Sequence, residues 1–107
     1  MITKYHKYHA RKAEVDGIKF DSKREANRYV ELKLMEQAKV IQDLKLQVKF
    51  PLVKKSPHGR EIVYIADFVY YEDGKMVVED SKGFKTDVYK LKKRLMAELY
   101  GIEIKET

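Results

Sequence analysis

Apolar and polar positions alternate with a period of two through the middle of the chain. From Leu44 to Phe50, the apolar Leu44, Leu46, Val48 and Phe50 alternate with Lys45, Gln47 and Lys49, which marks a strand with one wet face. Pro51, which lacks an amide hydrogen, is expected to end its pairing. Residues 61–71 are the most β-prone run in the chain. Ile62, Tyr64, Ala66, Phe68 and Tyr70 occupy one face, while Val63, Ile65, Val69 and Tyr71 share the other with Asp67, so this strand is expected to be central and covered on both sides. Asp73-Gly74 suits a two-residue hairpin turn, and its second strand runs from Lys75 to about Lys82, where Gly83 releases the chain.

The flanks follow other periods. Residues 13–20 contain Asp16-Gly17, a second tight turn, and predict a small β-ribbon. Ser22 followed by Glu25 is a reciprocal capping pair at a helix start, and the helix should run from about Lys23 to Ala38 with a buried stripe of Ala26, Val30, Leu34 and Ala38, joined by Tyr29. Thr86-Asp87 starts a second helix with a stripe of Val88, Leu91, Leu95 and Leu99, ended by Gly101. Ile102-Glu103-Ile104 adds a short last strand. The pattern predicts an α/β sandwich on a small mixed central sheet flanked by helices, with an N-terminal β-ribbon.

That frame brings two acids together. If Glu72 and Lys75 flank the turn, Val69 faces Val78, Asp67 faces Asp80 and Ile65 faces Lys82. Opposed like charges cost a strand pair roughly 0.2–1 kcal/mol, and more where valines exclude water, so a divalent cation between them is the natural remedy. Magnesium takes six oxygen ligands: Asp67, Asp80, a backbone carbonyl such as that of Ser81, and waters or a phosphate oxygen. Lys82 lies on the same face, where it can orient a water or stabilise charge on a phosphate, and phosphodiester hydrolysis is the reaction these parts suit. Glu25 is a further candidate in the first helical turn, with simple helix capping as its alternative role. Glu79 points by alternation to the opposite face and is assigned to a salt bridge or the surface. Gln47 is a candidate contact to a metal water or DNA, with plain solvation as the alternative.

Composition narrows the class. The 107 residues fit one domain, 13–107, preceded by a tail, 1–12, and carry a net charge of +6. Lys4, Lys7, Arg11 and Lys12 precede any acidic residue and interleave with Tyr5, His6, Tyr8 and His9, a segment suited to phosphates and bases. Lys54, Lys55 and Arg60 lie in a polar turn suited to a mobile loop beside a polyanion, and Lys85, Lys90, Lys93 and Arg94 extend the basic footprint to the second helix. His58, alone in that loop, is assigned to solvent. No apolar run approaches a membrane span, no secretory segment is evident, and there is no cysteine, so a cytoplasmic location is the expectation.

Glu25 on a helix, then Tyr64-Ile65-Ala66-Asp67-Phe68, then Val78-Glu79-Asp80-Ser81-Lys82-Gly83 resembles the PD-(D/E)xK nuclease superfamily over roughly residues 20–105. With Phe20-Asp21-Ser22-Lys23-Arg24-Glu25-Ala26 added, it looks like a group of small phage and prophage proteins within that superfamily. The resemblance implies a restriction-endonuclease-like αβββαβ core. It also implies a magnesium-dependent endonuclease, with manganese able to substitute, in which Glu25, Asp67, Asp80 and Lys82 match the helix acid, the first strand acid, and the acid and lysine of the D-x-K element. Ala66 departs from the proline that often precedes the first strand acid.

The sequence therefore leads to a metal-dependent DNA endonuclease, phage-encoded and acting in the host cytoplasm on duplex or branched DNA, in recombination, replication or repair, like junction resolvases. Dimerisation is expected for two-strand cutting by so small a domain. The alternatives are a non-catalytic nucleic-acid-binding protein on a nuclease scaffold and a phage protein-interaction module.

Overall fold

The computed structural model describes residues 12–107, so Lys4, Lys7 and Arg11 of the expected tail lie outside the described residues, and Lys12 is exposed. Strands β1 (Ala13–Val15) and β2 (Ile18–Phe20) form the expected ribbon, turned by Asp16 and Gly17, both at positive φ. Helix α1 (Lys23–Gln37) leads into β3 (Gln42–Val53), β4 (Ile62–Glu72) and β5 (Lys75–Asp80), followed by α2 (Asp87–Tyr100) and β6 (Lys105–Glu106). The sheet order is β3-β4-β5-β6, with β3, β4 and β5 antiparallel in turn and β6 parallel to β5. The class is α/β, a mixed four-stranded sheet with two helices. Among the described residues no helix is long and apolar enough to cross a membrane.

The central hairpin has the register that its turn dictates. Asp73 and Gly74 take φ of 54° and 76°, and the pairs run from Glu72 with Lys75 to Phe68 with Glu79. The ladder ends there, one pair short of Asp67 and Asp80, because the Asp67 carboxylate accepts a hydrogen bond from the Ser81 amide at 2.8 Å. Lys82 lies beyond the end of β5, so the expected pairing of Ile65 with Lys82 does not form.

The alternation of β3 and β4 reverses at one place. Leu44 and Leu46 pack with Phe68 and Tyr70 in a core under α1 that includes Tyr29 and Leu32. Val48 and Phe50 pack instead with Tyr64 and Ala66 in a core against α2 that includes Tyr89 and Met96. The single-face stripes expected for these strands are therefore corrected. Gln47, between Leu46 and Val48, has a left-handed φ of 53°, which breaks the pleat, and β4 follows because it keeps its register with β3 on either side of Asp67.

Other expectations shift for local reasons. Pro51 does not end β3, which continues to Val53, because β3 is an edge strand where a missing amide hydrogen can face solvent. On α1 the buried residues are Glu25, Ala26, Tyr29 and Leu32, while Val30 and Leu34 are exposed. Steps of four residues drift about 40° each around a helix, so a stripe built only on them leaves the core. On α2 the core takes Tyr89 and Met96, with Leu95 at its edge, while Val88, Leu91 and Leu99 of the expected stripe are exposed. The last strand is Lys105–Glu106 rather than residues 102–104, since Ile102 and Ile104 pack against the core and the two polar residues after them meet the sheet edge. The basic turn is closed by paired backbone bonds between Ser56 and Gly59.

Candidate active site

Five segments meet at the end of the hairpin where its ladder stops. β4 brings Asp67, β5 brings Asp80, Ser81 and Lys82 follow β5, the first turn of α1 brings Glu25, and the kink of β3 brings Gln47. Ser22 caps α1 by accepting the Glu25 amide at 3.1 Å. Its expected reciprocal is not made: the Glu25 carboxylate turns to the sheet and is 5% exposed. There Gln47 Nε2 donates to Glu25 Oε2 at 3.1 Å and reaches Asp67 Oδ1 at 3.4 Å. The same left-handed residue that reverses the strand thus ties Glu25 to Asp67.

Asp80 is fully buried, and its two carboxylate oxygens are treated unequally. Oδ2 accepts a 2.5 Å hydrogen bond from the Tyr64 hydroxyl. Oδ1 accepts none, and the Lys82 ammonium stands 3.3 Å from it. Lys82 is itself set over the Tyr89 ring, 5.3 Å from its centre. The Tyr89 hydroxyl donates to Glu106 of β6, which also pairs with Lys93 at 3.2 Å and Lys85 at 3.9 Å. Tyr64, Tyr89 and Glu106 carry no motif. Only their place opposite or beside Asp80 in the folded sheet reveals them, and the alternation of the sequence assigned Tyr64 simply to a strand face.

Glu25 and Asp67 hold protons more tightly than free carboxylates do. Burial first, and then the negative charges of Asp67 and Asp21, push Glu25 from 4.5 up to about 7. Burial raises Asp67 from 3.8 to about 6; the Ser81 amide opposes that rise and the charge of Asp80 adds to it. Burial and the bond to Asp80 raise the Tyr64 phenol, so it remains a donor. Near neutrality the site thus concentrates negative charge that has too few positive partners.

A hard cation fits this deficit. The buried, unbonded Asp80 Oδ1 offers a ligand atom, with Asp67 beside it and the Ser81 backbone next in the chain. Among the described residues no three His, Cys, Asp or Glu side chains form a ready-made metal cluster.

Glu79 lies on the other face, as alternation requires, and makes the salt bridge expected of it, itself fully buried while its partner Arg28 is partly exposed. Arg28 of α1 donates to both of its oxygens, at 2.9 and 2.7 Å, and the Tyr70 hydroxyl bonds it as well. Of the basic residues, Lys82, Lys85 and Lys93 gather around Tyr89 and Glu106. Lys90, Lys93 and Arg94 line a cavity of about 240 Å³ with Ile102, Glu103 and Ile104. Lys54, Lys55 and Arg60 are exposed in the β3–β4 turn, apart from these groups.

No curated protein and no solved structure matches the chain. The family described as "Protein of unknown function (DUF1064)" has a model that matches residues 5–107, nearly the whole sequence, and the chain belongs to that family.

Proposed function

We propose that this chain is a divalent-metal-dependent nuclease that hydrolyses phosphodiester bonds in DNA, on a restriction-endonuclease-like αβββαβ core. The observation that carries the reading is Asp80: a fully buried carboxylate with one oxygen bonded to Tyr64 and the other free beside Asp67 and Lys82. The element order from α1 through β6 and the convergence of Glu25, Asp67, Asp80 and Lys82 support it further.

Asp67, Asp80 and the Ser81 carbonyl would hold magnesium, or manganese in its place. The ion supplies charge to a phosphoryl oxygen and acidity to a bound water. Tyr64 fixes Asp80 Oδ2, which leaves Oδ1 to face the ion. Lys82, steadied over the Tyr89 ring, stabilises the charge that builds on the scissile phosphate. Glu25, protonated and ionised over the range near pH 7, orients or accepts a proton from water at the edge of the site. Lys85, Lys90, Lys93 and Arg94 offer the positive surface next to it, along which a phosphate backbone runs. DNA of duplex or branched form, from a phage setting, is the substrate this reading assigns.

The test is incubation of purified protein with linear and branched DNA in magnesium or manganese. Cleavage that needs metal and disappears in Asp80→Asn is expected. Salt-sensitive binding without product would instead mark a nucleic-acid-binding scaffold that has no turnover.

A further inference from the structure

Helix α2 has two apolar faces, and the described residues cover only one. Tyr89 and Met96 enter the core, and Leu95 lies at its edge. Val88, Leu91 and Leu99 are 62%, 58% and 55% exposed, and Phe84, just before the helix, is 80% exposed. Within the helix, Val88, Leu91, Leu95 and Leu99 follow one another at three, four and four residues, which keeps them on one side. Lys92 and Glu98 border the line on its two sides. Elsewhere the exposed apolar side chains are scattered over α1 (Val30, Leu34), the turn after it, the strands, Ile65 within β4 among them, and Tyr100 at the end of α2.

From this stripe we infer that α2 is the contact surface of a homodimer, packed against α2 of a second copy about a two-fold axis. A stripe spaced by threes and fours is the pattern that two helices bury against each other, and an isologous contact needs only this one patch, presented twice. Side chains of these sizes and exposures leave roughly 500 Å² of apolar surface, the scale of patches that mark interaction sites; with a polar rim it approaches the roughly 800 Å² per partner of a stable interface. The basic side of α2, with Lys90, Lys93 and Arg94, stays outside the contact because it turns to the cavity formed with Ile102 and Ile104. Phe84 lies two residues after Lys82, so the dimer sets the two candidate sites beside its interface. The contact itself is independent of whether those sites cleave DNA.

Sedimentation of the full chain from roughly 1 to 100 µM tests it. The expected result is a concentration-dependent dimer, weakened at least 100-fold in Leu91→Glu and in Leu99→Glu and unchanged in Val30→Glu on α1. Because Leu91 and Leu99 are exposed in the monomer, both variants should keep the circular-dichroism spectrum of the parent. The chain contains no cysteine, so Leu91→Cys gives an independent readout: it should cross-link under mild oxidation where Val30→Cys does not. A wild-type chain that stays monomeric, or a dimer that Leu91→Glu and Leu99→Glu leave intact while Val30→Glu disrupts it, would overturn the proposal.

Discussion

Glu79 and Asp80 are neighbours in β5, both fully buried, yet they have opposite surroundings. Glu79 faces α1 and is saturated: Arg28 grips both oxygens and Tyr70 adds a third bond. Burial alone would raise its pKa, but the bonds from Arg28 and Tyr70 outweigh burial and hold the carboxyl below its ordinary value. Asp80 faces the α2 side and keeps one oxygen without a hydrogen bond, next to Asp67, whose own pKa is raised. The same strand thus satisfies one buried acid fully and leaves the next with one oxygen that meets only the Lys82 ammonium, at 3.3 Å, which is the opening that the proposed function gives to a metal ion. Burial therefore does not distinguish a structural carboxylate from a functional one; the count of its partners does.

The largest effect should separate the two by activity. Asp80→Asn retains the shape and an acceptor for Tyr64 but loses the ligand charge, so metal-dependent cleavage should fall by about 10³-fold or more while the melting temperature holds or rises. Glu79→Gln should do the reverse. It leaves the Arg28 guanidinium half-buried without its counter-charge, which should cost about 3 kcal/mol and lower the melting temperature by more than roughly 10 °C. Thermal denaturation and initial cleavage rates, measured on both variants below their transitions, check the contrast.

pH should sharpen it. Glu25 and Asp67 have folded-state pKa values above the ordinary ones, so their contribution to stability is complete below about pH 4 and is lost as pH rises through about 6 and about 7. Glu79, held low, contributes above the ordinary glutamate range and loses that contribution as pH falls through its folded value. Without metal, stability should therefore peak on the acid side of neutrality. Magnesium should raise the melting temperature by several degrees at pH 8 and hardly at all at pH 5, where Glu25 and Asp67 are protonated. The smallest change is expected at Glu25 itself. Glu25→Gln removes a destabilising charge, so the metal-free protein at pH 8 should gain about 1 kcal/mol, while metal affinity falls about 10-fold.

Sequence carried the parts of this picture that rest on local rules. The Asp73-Gly74 turn set the hairpin register, Ser22, Thr86 and Gly101 marked helix ends, and Glu25, Asp67 and Asp80 lie on the elements assigned to them, while Lys82 falls two residues past the end of its strand. What it could not carry depends on departures from those rules. Alternation assumes an unbroken pleat, and the left-handed Gln47 breaks it at the point where Asp67 needs to be placed. Stripe reading assumes that a helix turns its widest apolar face to its own core, and α2 turns Tyr89 and Met96 inward instead. From the sequence Tyr64 reads only as a strand-face residue and Tyr89 is not singled out, because a hydroxyl's partner sixteen or seventeen residues away is a property of the fold.

The central claim is that Asp80 is left incomplete in order to hold a divalent ion. Calorimetric titration of the protein with manganese at pH 8, beside Asp80→Asn, tests it most directly. The account predicts one saturable site in the parent protein, weakened at least 100-fold by that substitution. Heat of binding that is absent from the parent, or equal in the two proteins, would contradict it.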